Sequence, residues 1–292
     1  MNRMKRLLAS ALISAAALSL TCAAAADAAQ AAVRQKAASN SKSSRSVKSA
    51  AGQLRGEKKA GASDEELIDR IFDRWLEAQG GALLMMGVRS RVMRGSVEHS
   101  KGNVPGKFES YLKSPNKSLL KIDVPGAGQF IEAFDGRDAW LRAPVIGTFL
   151  TPEADAAHAI KQNAAAGFAL KYRDLFSAVR YNGASRLDGR EVHVVEGTYG
   201  GRQQVMSFDA ADGLLVRVDY VQKGVNLLPL LSVSLEKYAR VDGIQIPIRI
   251  KQVYKEYTVT FNVYEVKHNV AIQDALFENP KAVSFKPKAE AN

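Results

Sequence analysis

Apolar and polar residues alternate with a period of two over most of the chain after residue 88. Successive side chains of a strand point to opposite faces, so this alternation predicts half-buried β-structure. In a strand over 244–254, Ile244, Ile246, Ile248 and Ile250 share one face, while Gln245, Arg249 and Lys251 share the other. In the next strand Val259, Phe261 and Val263 oppose Thr258, Thr260 and Asn262. Leu214, Val216, Val218 and Tyr220 oppose Arg217 and Asp219, and Met206 and Phe208 extend the apolar face. Asp135-Gly136, Asp188-Gly189, Asp212-Gly213 and Asp242-Gly243 lie between such segments. Asp-Gly favours the tight turns whose twist matches that of paired strands, so these four mark hairpins.

Two segments follow the helical period instead. Ser63 with Glu66 forms a capping box, and Leu67, Ile68, Ile71, Phe72, Trp75 and Leu76 then make one apolar stripe that ends at Gly80-Gly81. This helix is expected to plug one opening of the sheet. Thr151-Pro152-Glu153 opens a second, Ala-rich helical stretch over 152–178, with Ile160, Phe168, Leu170, Leu175 and Phe176 on its apolar side. It is expected to lie across the apolar face as a lid. About eleven strands with one apolar face must curl, split or close. With two helical segments to cover that face, the expected fold is mainly β with helices (α+β): an incomplete antiparallel β-barrel with a helical plug and lid.

Composition changes this picture only at the N-terminus. Residues 1–28 read as a signal peptide: Arg3, Lys5 and Arg6 precede an apolar run from Leu7 to Leu20. Cleavage is expected near Ala26 or Ala28, which implies an exported protein. Cys22, the one cysteine, offers a lipid anchor as the alternative. The chain of 292 residues has a formal charge of +11, but residues 1–62 hold 11 Lys/Arg against Asp27 and Glu57. The remainder is nearly neutral, so no nucleic-acid partner is expected. Residues 29–62, rich in Ala, Ser and Lys without an aromatic residue, read as a disordered basic linker. The folded domain is expected over 63–285 and a flexible tail over 286–292.

Catalytic patterns are absent from the sequence. His99, His158, His193 and His268 lack metal-ligand spacing, there is no G-x-S-x-G, and His193 is expected on the surface. No cofactor, metal or enzymatic activity is expected. The candidate ligand-lining residues are Met206, Phe208, Val216, Val218, Tyr220, Ile246, Ile248, Ile250, Val259, Phe261, Val263, Trp140 and Phe168. Ile160, Phe176, Leu227 and Leu228 are the lid or rim candidates.

The segments 134–140 (FDGRDAW), 187–195 (LDGREVHVV), 207–216 (SFDAADGLLV) and 238–247 (YARVDGIQIP) carry a resemblance in their joint order. Over roughly residues 64–283 the chain resembles the outer-membrane lipoprotein-sorting protein family of the LolA/LolB-like superfamily of periplasmic lipoprotein carriers. The resemblance implies a lidded hydrophobic cavity and a lipid or acylated lipoprotein cargo. It also implies a location in a Gram-negative periplasm. A monomer is expected, with inner- or outer-membrane proteins as partners. A lid-locking arginine is implied as well, with Arg91 and Arg94 as candidates. The alternatives are a non-carrier envelope binding protein of the same fold and a hydrolytic enzyme.

Overall fold

The computed structural model describes residues 63–101, 105–143, 149–150, 160–161, 164, 171–221 and 229–280. The expected leader, linker and tail lie outside these residues. Helix α1 (Asp64–Gln79) begins on the capping box: Glu66 N donates to Ser63 Oγ (3.2 Å), and Ser63 N donates to a Glu66 carboxylate oxygen (2.9 Å). It ends at Gly80, whose φ of 130° suits glycine alone. A short helix, α2 (Ala82–Met86), follows where no element was expected; five residues are too few for a readable period.

Thirteen strands form one sheet: β1 (Ser90–His99), β2 (Gly106–Lys113), β3 (Lys117–Val124), β4 (Gly128–Phe134), β5 (Ala139–Arg142), β6 (Phe149–Leu150), β7 (Ala178–Leu187), β8 (Arg190–Tyr199), β9 (Arg202–Asp209), β10 (Leu215–Val221), β11 (Pro229–Val241), β12 (Ile244–Tyr254) and β13 (Thr258–His268). The expectation was about eleven; the two-residue β6 is too short to show alternation. The spatial order is β6-β5-β4-β3-β2-β1-β13-β12-β11-β10-β9-β8-β7, and the paired strands are antiparallel. The chain therefore meanders from the middle of the sheet to one edge, crosses to the far edge, and meanders back until β13 pairs with β1.

All four Asp-Gly pairs lie in hairpin turns of this sheet. Asp188-Gly189 and Asp242-Gly243 have both residues at positive φ, the conformation of a two-residue turn. The other two turns are longer. In one, Asp135 Oδ1 accepts from the backbone N–H groups of Arg137 and Asp138 (2.7 Å each). In the other, Asp209 Oδ1 accepts from Ala211 N (2.7 Å). Irregularities at Arg94/Gly95, Tyr181/Gly183, Leu215/Arg217 and Tyr220/Val221 interrupt the ladders. Such bulges bend strands and add twist, which curls a wide sheet. The result is an incomplete β-barrel whose edges, β6 and β7, do not pair with each other.

The concave face carries the main core. Ile68, Ile71 and Phe72 of α1 pack with Met93, Phe108, Phe130, Met206, Phe208, Ile246, Ile250 and Phe261. A second, smaller cluster covers the opposite face at β3–β5. There Phe277, just after a 3₁₀ turn (Asp274–Leu276), packs on Leu119, Ala133 and Trp140. Trp140 Nε1 donates to the Phe277 carbonyl (2.7 Å), and Lys113 and Lys117 both pair with Asp274.

Gly95 gives the core its tightest close approach. A Cβ there would lie 2.3 Å from the Phe108 ring and 2.1 Å from the Asn262 carbonyl oxygen. The vacancy lets Phe108 meet Phe261 edge-on, with centroids 5.2 Å apart. Gly95→Val is therefore expected to lower stability by about 1–3 kcal/mol through overpacking. Thermal unfolding should show a fall in Tm of several degrees; an unchanged Tm would contradict this packing.

Candidate functional site

The two ends of the half-barrel differ. The Asp-Gly turns after β4, β7, β9 and β11 all fall at one end, because alternate hairpins of an antiparallel meander share an end. The last turns of α1 rest there. Arg74 Nη2 donates to the Ala211 carbonyl (2.6 Å), and a Cβ on Gly80 would lie 2.7 Å from the Gly243 carbonyl oxygen. The Asp242-Gly243 turn is further tied by a chain that runs from the interior to the surface: Arg91 Nε donates to His268 Nε2 (3.1 Å), and His268 Nδ1 contacts the exposed Asp242 Oδ2 (2.9 Å). Burial, then the Arg91 charge, pushes the His268 pKa down, and Asp242 opposes both. The neutral ring accepts from Arg91 and donates to Asp242. This chain bridges a place where β12 and β13 have ceased to pair, since their register runs only from Arg249/Asn262 to Val253/Thr258. The end is thus plugged, as expected for the first helix.

Between the ends, most of the candidate ligand-lining residues come together on the concave face. Met206, Phe208, Val218, Ile246, Ile250, Val259, Phe261 and Val263 belong to its core cluster, and Tyr220, Ile248 and Phe176 pack against it. Ile160 packs with Ala164 onto Phe134 and Ala139. Phe134 is in register with Ser118 and two positions beyond Glu132, so it shares the parity of Phe130 and faces the concavity. Ile160 therefore lies on the concave side near β4 and β5.

The segment just before β7 is held by α1. The short helix α3 (Tyr172–Leu175) stacks Tyr172 on Phe72, with centroids 4.3 Å apart and planes at 17°. Tyr172 Oη donates to Asp69 Oδ1 (2.7 Å), Arg173 pairs with Asp69, and Arg173 Nη2 donates to Glu65 Oε1 (3.0 Å). Arg173, followed by Tyr172, holds the Asp69 carboxyl below its ordinary range. Burial and then Asp69 push the Tyr172 hydroxyl up to about 12. Phe176 next sinks into a gap at Gly197, where a Cβ would lie 2.8 Å from its ring. Beneath these residues opens a cavity of about 510 Å³, with Ile68, Phe176, Val179 and Tyr181 on its walls and Asp64, Glu65, Arg173 and Arg180 at its rim.

Several candidates lie elsewhere. Val216 is outside the inner cluster and lines a surface cavity with Asp188, Arg190, Ser234 and Glu236. The bulge between Leu215 and Arg217 shifts the alternation, so Leu215, 1% exposed, faces inward in place of Val216. Strict period-two counting cannot show such a shift. Trp140 pairs with Ala133 and lies on the opposite face, under Phe277. His193, expected on the surface, shares the parity of Val195 and contacts the Tyr181 hydroxyl (3.1 Å) on the concave side. Phe168, Leu227 and Leu228 fall outside the described residues. Of the two arginine candidates, Arg91 sits in the plugged end. Arg94 pairs with Glu109 (2.9 Å) and Glu265 (2.6 Å). The arginine that ties the crossing segment to α1 is Arg173, and its acidic partners at the i and i+4 positions Glu65 and Asp69 were the signal that sequence reasoning missed. Among the described residues no group of three His, Cys, Asp or Glu could hold a metal ion.

No family model matches the chain, and no curated protein matches it by sequence. Solved structures do match its shape. A DUF1329 family protein from Desulfovibrio piger has a TM-score of 0.55 at 14% identity, covering 73% of this chain and 98% of its own. A LolA superfamily protein from Nitrosomonas europaea has a TM-score of 0.52 at 13% identity, covering 73% and 98%. A domain from Vibrio parahaemolyticus named for outer membrane lipoprotein sorting has a TM-score of 0.51 at 13% identity, covering 74% and 98%. The fold is LolA-like.

The latch yields a pH expectation. A carboxyl with a lowered folded pKa stabilises above its ordinary value of 3.8 and loses that stabilisation as pH falls through the lower folded value. Hydrogen exchange over residues 171–176 should therefore stay slow from neutral pH down to the ordinary carboxylate range and quicken below it. Asp69→Asn should quicken it at neutral pH. Equal exchange in variant and parent would show that the ion pairs do not hold this segment.

Proposed function

We propose that this chain binds the acyl chains of lipids or lipoproteins on the concave face of its half-barrel and carries them within the envelope. The observation that supports this reading is the way the face is covered. One wall is apolar and continuous, while the segment over it is fastened by surface ion pairs and two aromatic contacts. An acyl chain offers hydrocarbon and needs little directional chemistry. Each buried methylene contributes about 0.8 kcal/mol, so a chain of roughly 16 carbons gains on the order of 10 kcal/mol before ordering costs. Moving the latch, whose ion pairs are solvent-exposed and individually weak, is a small cost against that gain.

The leader-like residues 1–28 support export, and the near-neutral body supports a hydrophobic rather than a polyanionic ligand. A soluble carrier in the periplasm accounts for both. Inner- and outer-membrane proteins that load and unload it belong to the same reading.

A fluorescent fatty acid titrated into the mature protein tests this. Saturable binding is expected for the parent. Ile248→Glu, which places a charge at a half-buried position of the concave face, should weaken it at least tenfold. Val216→Glu, at the surface cavity away from the inner cluster, should leave it within about twofold. If Ile248→Glu folds and binds as the parent does, the concave face is not the site.

A further inference from the structure

The two edges of the sheet are unequal. β6 has two residues, whereas β7 has ten and, among the described residues, pairs only with β8. A free edge of this length presents alternate N–H and C=O groups to any extended chain, and soluble proteins usually blunt or cover such edges. Among the described residues, β7 is blunted by the ladder shift at Gly183 and by the charges of Arg180 and Arg186, with its remaining length open.

Its chemistry narrows the occupant. Between Ala178 and Leu187 there is no acidic residue, and the charges are Arg180 and Arg186, whose side chains are 70% and 76% exposed. Among the described residues each has one acidic partner, on the β8 side: Glu196 at 2.7 Å for Arg180 and Glu191 at 3.7 Å for Arg186. A guanidinium carries five N–H donors, more than one carboxylate can take. The remaining donors are available to acidic side chains on an incoming strand. A second copy docking through the same edge would bring four arginines together, and like charges on adjacent strands oppose pairing.

The start of β7 is also the rim of the cavity described above, which Ala178, Val179, Arg180 and Tyr181 line together with Ile68 and Phe176. A cavity with an apolar wall of Ile68, Phe176 and Val179 and a charged rim therefore adjoins an open strand edge. We infer that β7 is a strand-addition site for an extended acidic polypeptide segment whose attached acyl chain enters the cavity at the start of the strand. This deepens the reading above and rests on it: the preferred cargo is an acylated polypeptide rather than a free lipid. Main-chain hydrogen bonds to the edge supply affinity with little dependence on sequence, as in other strand-addition complexes, and linkage of the two contacts raises the affinity of the whole.

The test compares three probes on the full mature protein. They are a ten-residue peptide of alternating valine and glutamate with an N-terminal palmitoyl group, the same peptide without it, and palmitoyl-glycinamide. The palmitoylated peptide is expected to bind at least tenfold more tightly than palmitoyl-glycinamide, with new hydrogen-exchange protection of alternate amides over 178–187. The Arg180→Glu, Arg186→Glu double variant is expected to lose that tenfold advantage while binding palmitoyl-glycinamide as the parent does. Equal affinity of the two palmitoylated probes without protection of β7 overturns strand addition and leaves acyl binding intact. So does full protection of the β7 amides in the unliganded protein, which would mean that the edge is already occupied. If neither palmitoylated probe binds, acyl binding itself fails.

Discussion

Thirteen strands in one sheet carry their main apolar surface on one face, and the need to keep that face from water governs the rest of the molecule. The sheet cannot stay flat, since its inner face would have no partner. Bulges at Gly95, Gly183 and Leu215 curl it, α1 fills the plugged end, and the chain passes to the far edge to begin again. That crossing is a topological necessity. β6 and β7 are consecutive in sequence but lie at opposite edges, so residues 151–177 must pass from one to the other. Near the end of that passage Tyr172 stacks on Phe72 of α1, on the concave side.

The contacts that fix the lid are of a different kind from those that fix the sheet. Within the sheet, fully buried side chains such as Phe108, Ile246 and Ile250 interlock, and disturbing one disturbs its neighbours. Between α1 and α3 the fastening is a stacked ring and a carboxylate–guanidinium group at the surface. Segments held in this way open at lower free energy than the core around them. The plugged end, by contrast, has the buried Arg91–His268 contact, which reaches Asp242 at the surface, and close backbone contacts. Opening is thus expected at the α3 side, next to the cavity at the start of β7.

Much of the fold was legible in the sequence because hairpins are local. Asp242-Gly243 and Asp188-Gly189 state their turn type in two residues, and the isoleucines of β12 state their face. The capping box of Ser63 and Glu66 likewise fixes the start of α1. The illegible parts are non-local. The shift that turns Leu215 inward depends on its pairing with β9, and nothing in its own strand records it. Trp140 faces Phe277 because the C-terminal segment returns over the outer face, a contact between residues 137 apart in sequence. The latch joins Asp69 to Arg173 across 104 residues, so the arginines of an early strand drew attention instead.

The account turns on whether the concave face holds hydrocarbon in the cell. Native mass spectrometry of the protein isolated from its own envelope, without detergent, tests this most directly. The account predicts adduct masses that dissociate as fatty acyl lipid or acylated peptide on collisional activation. A bare polypeptide mass, from protein that also fails to take up an added fatty acid, would contradict it.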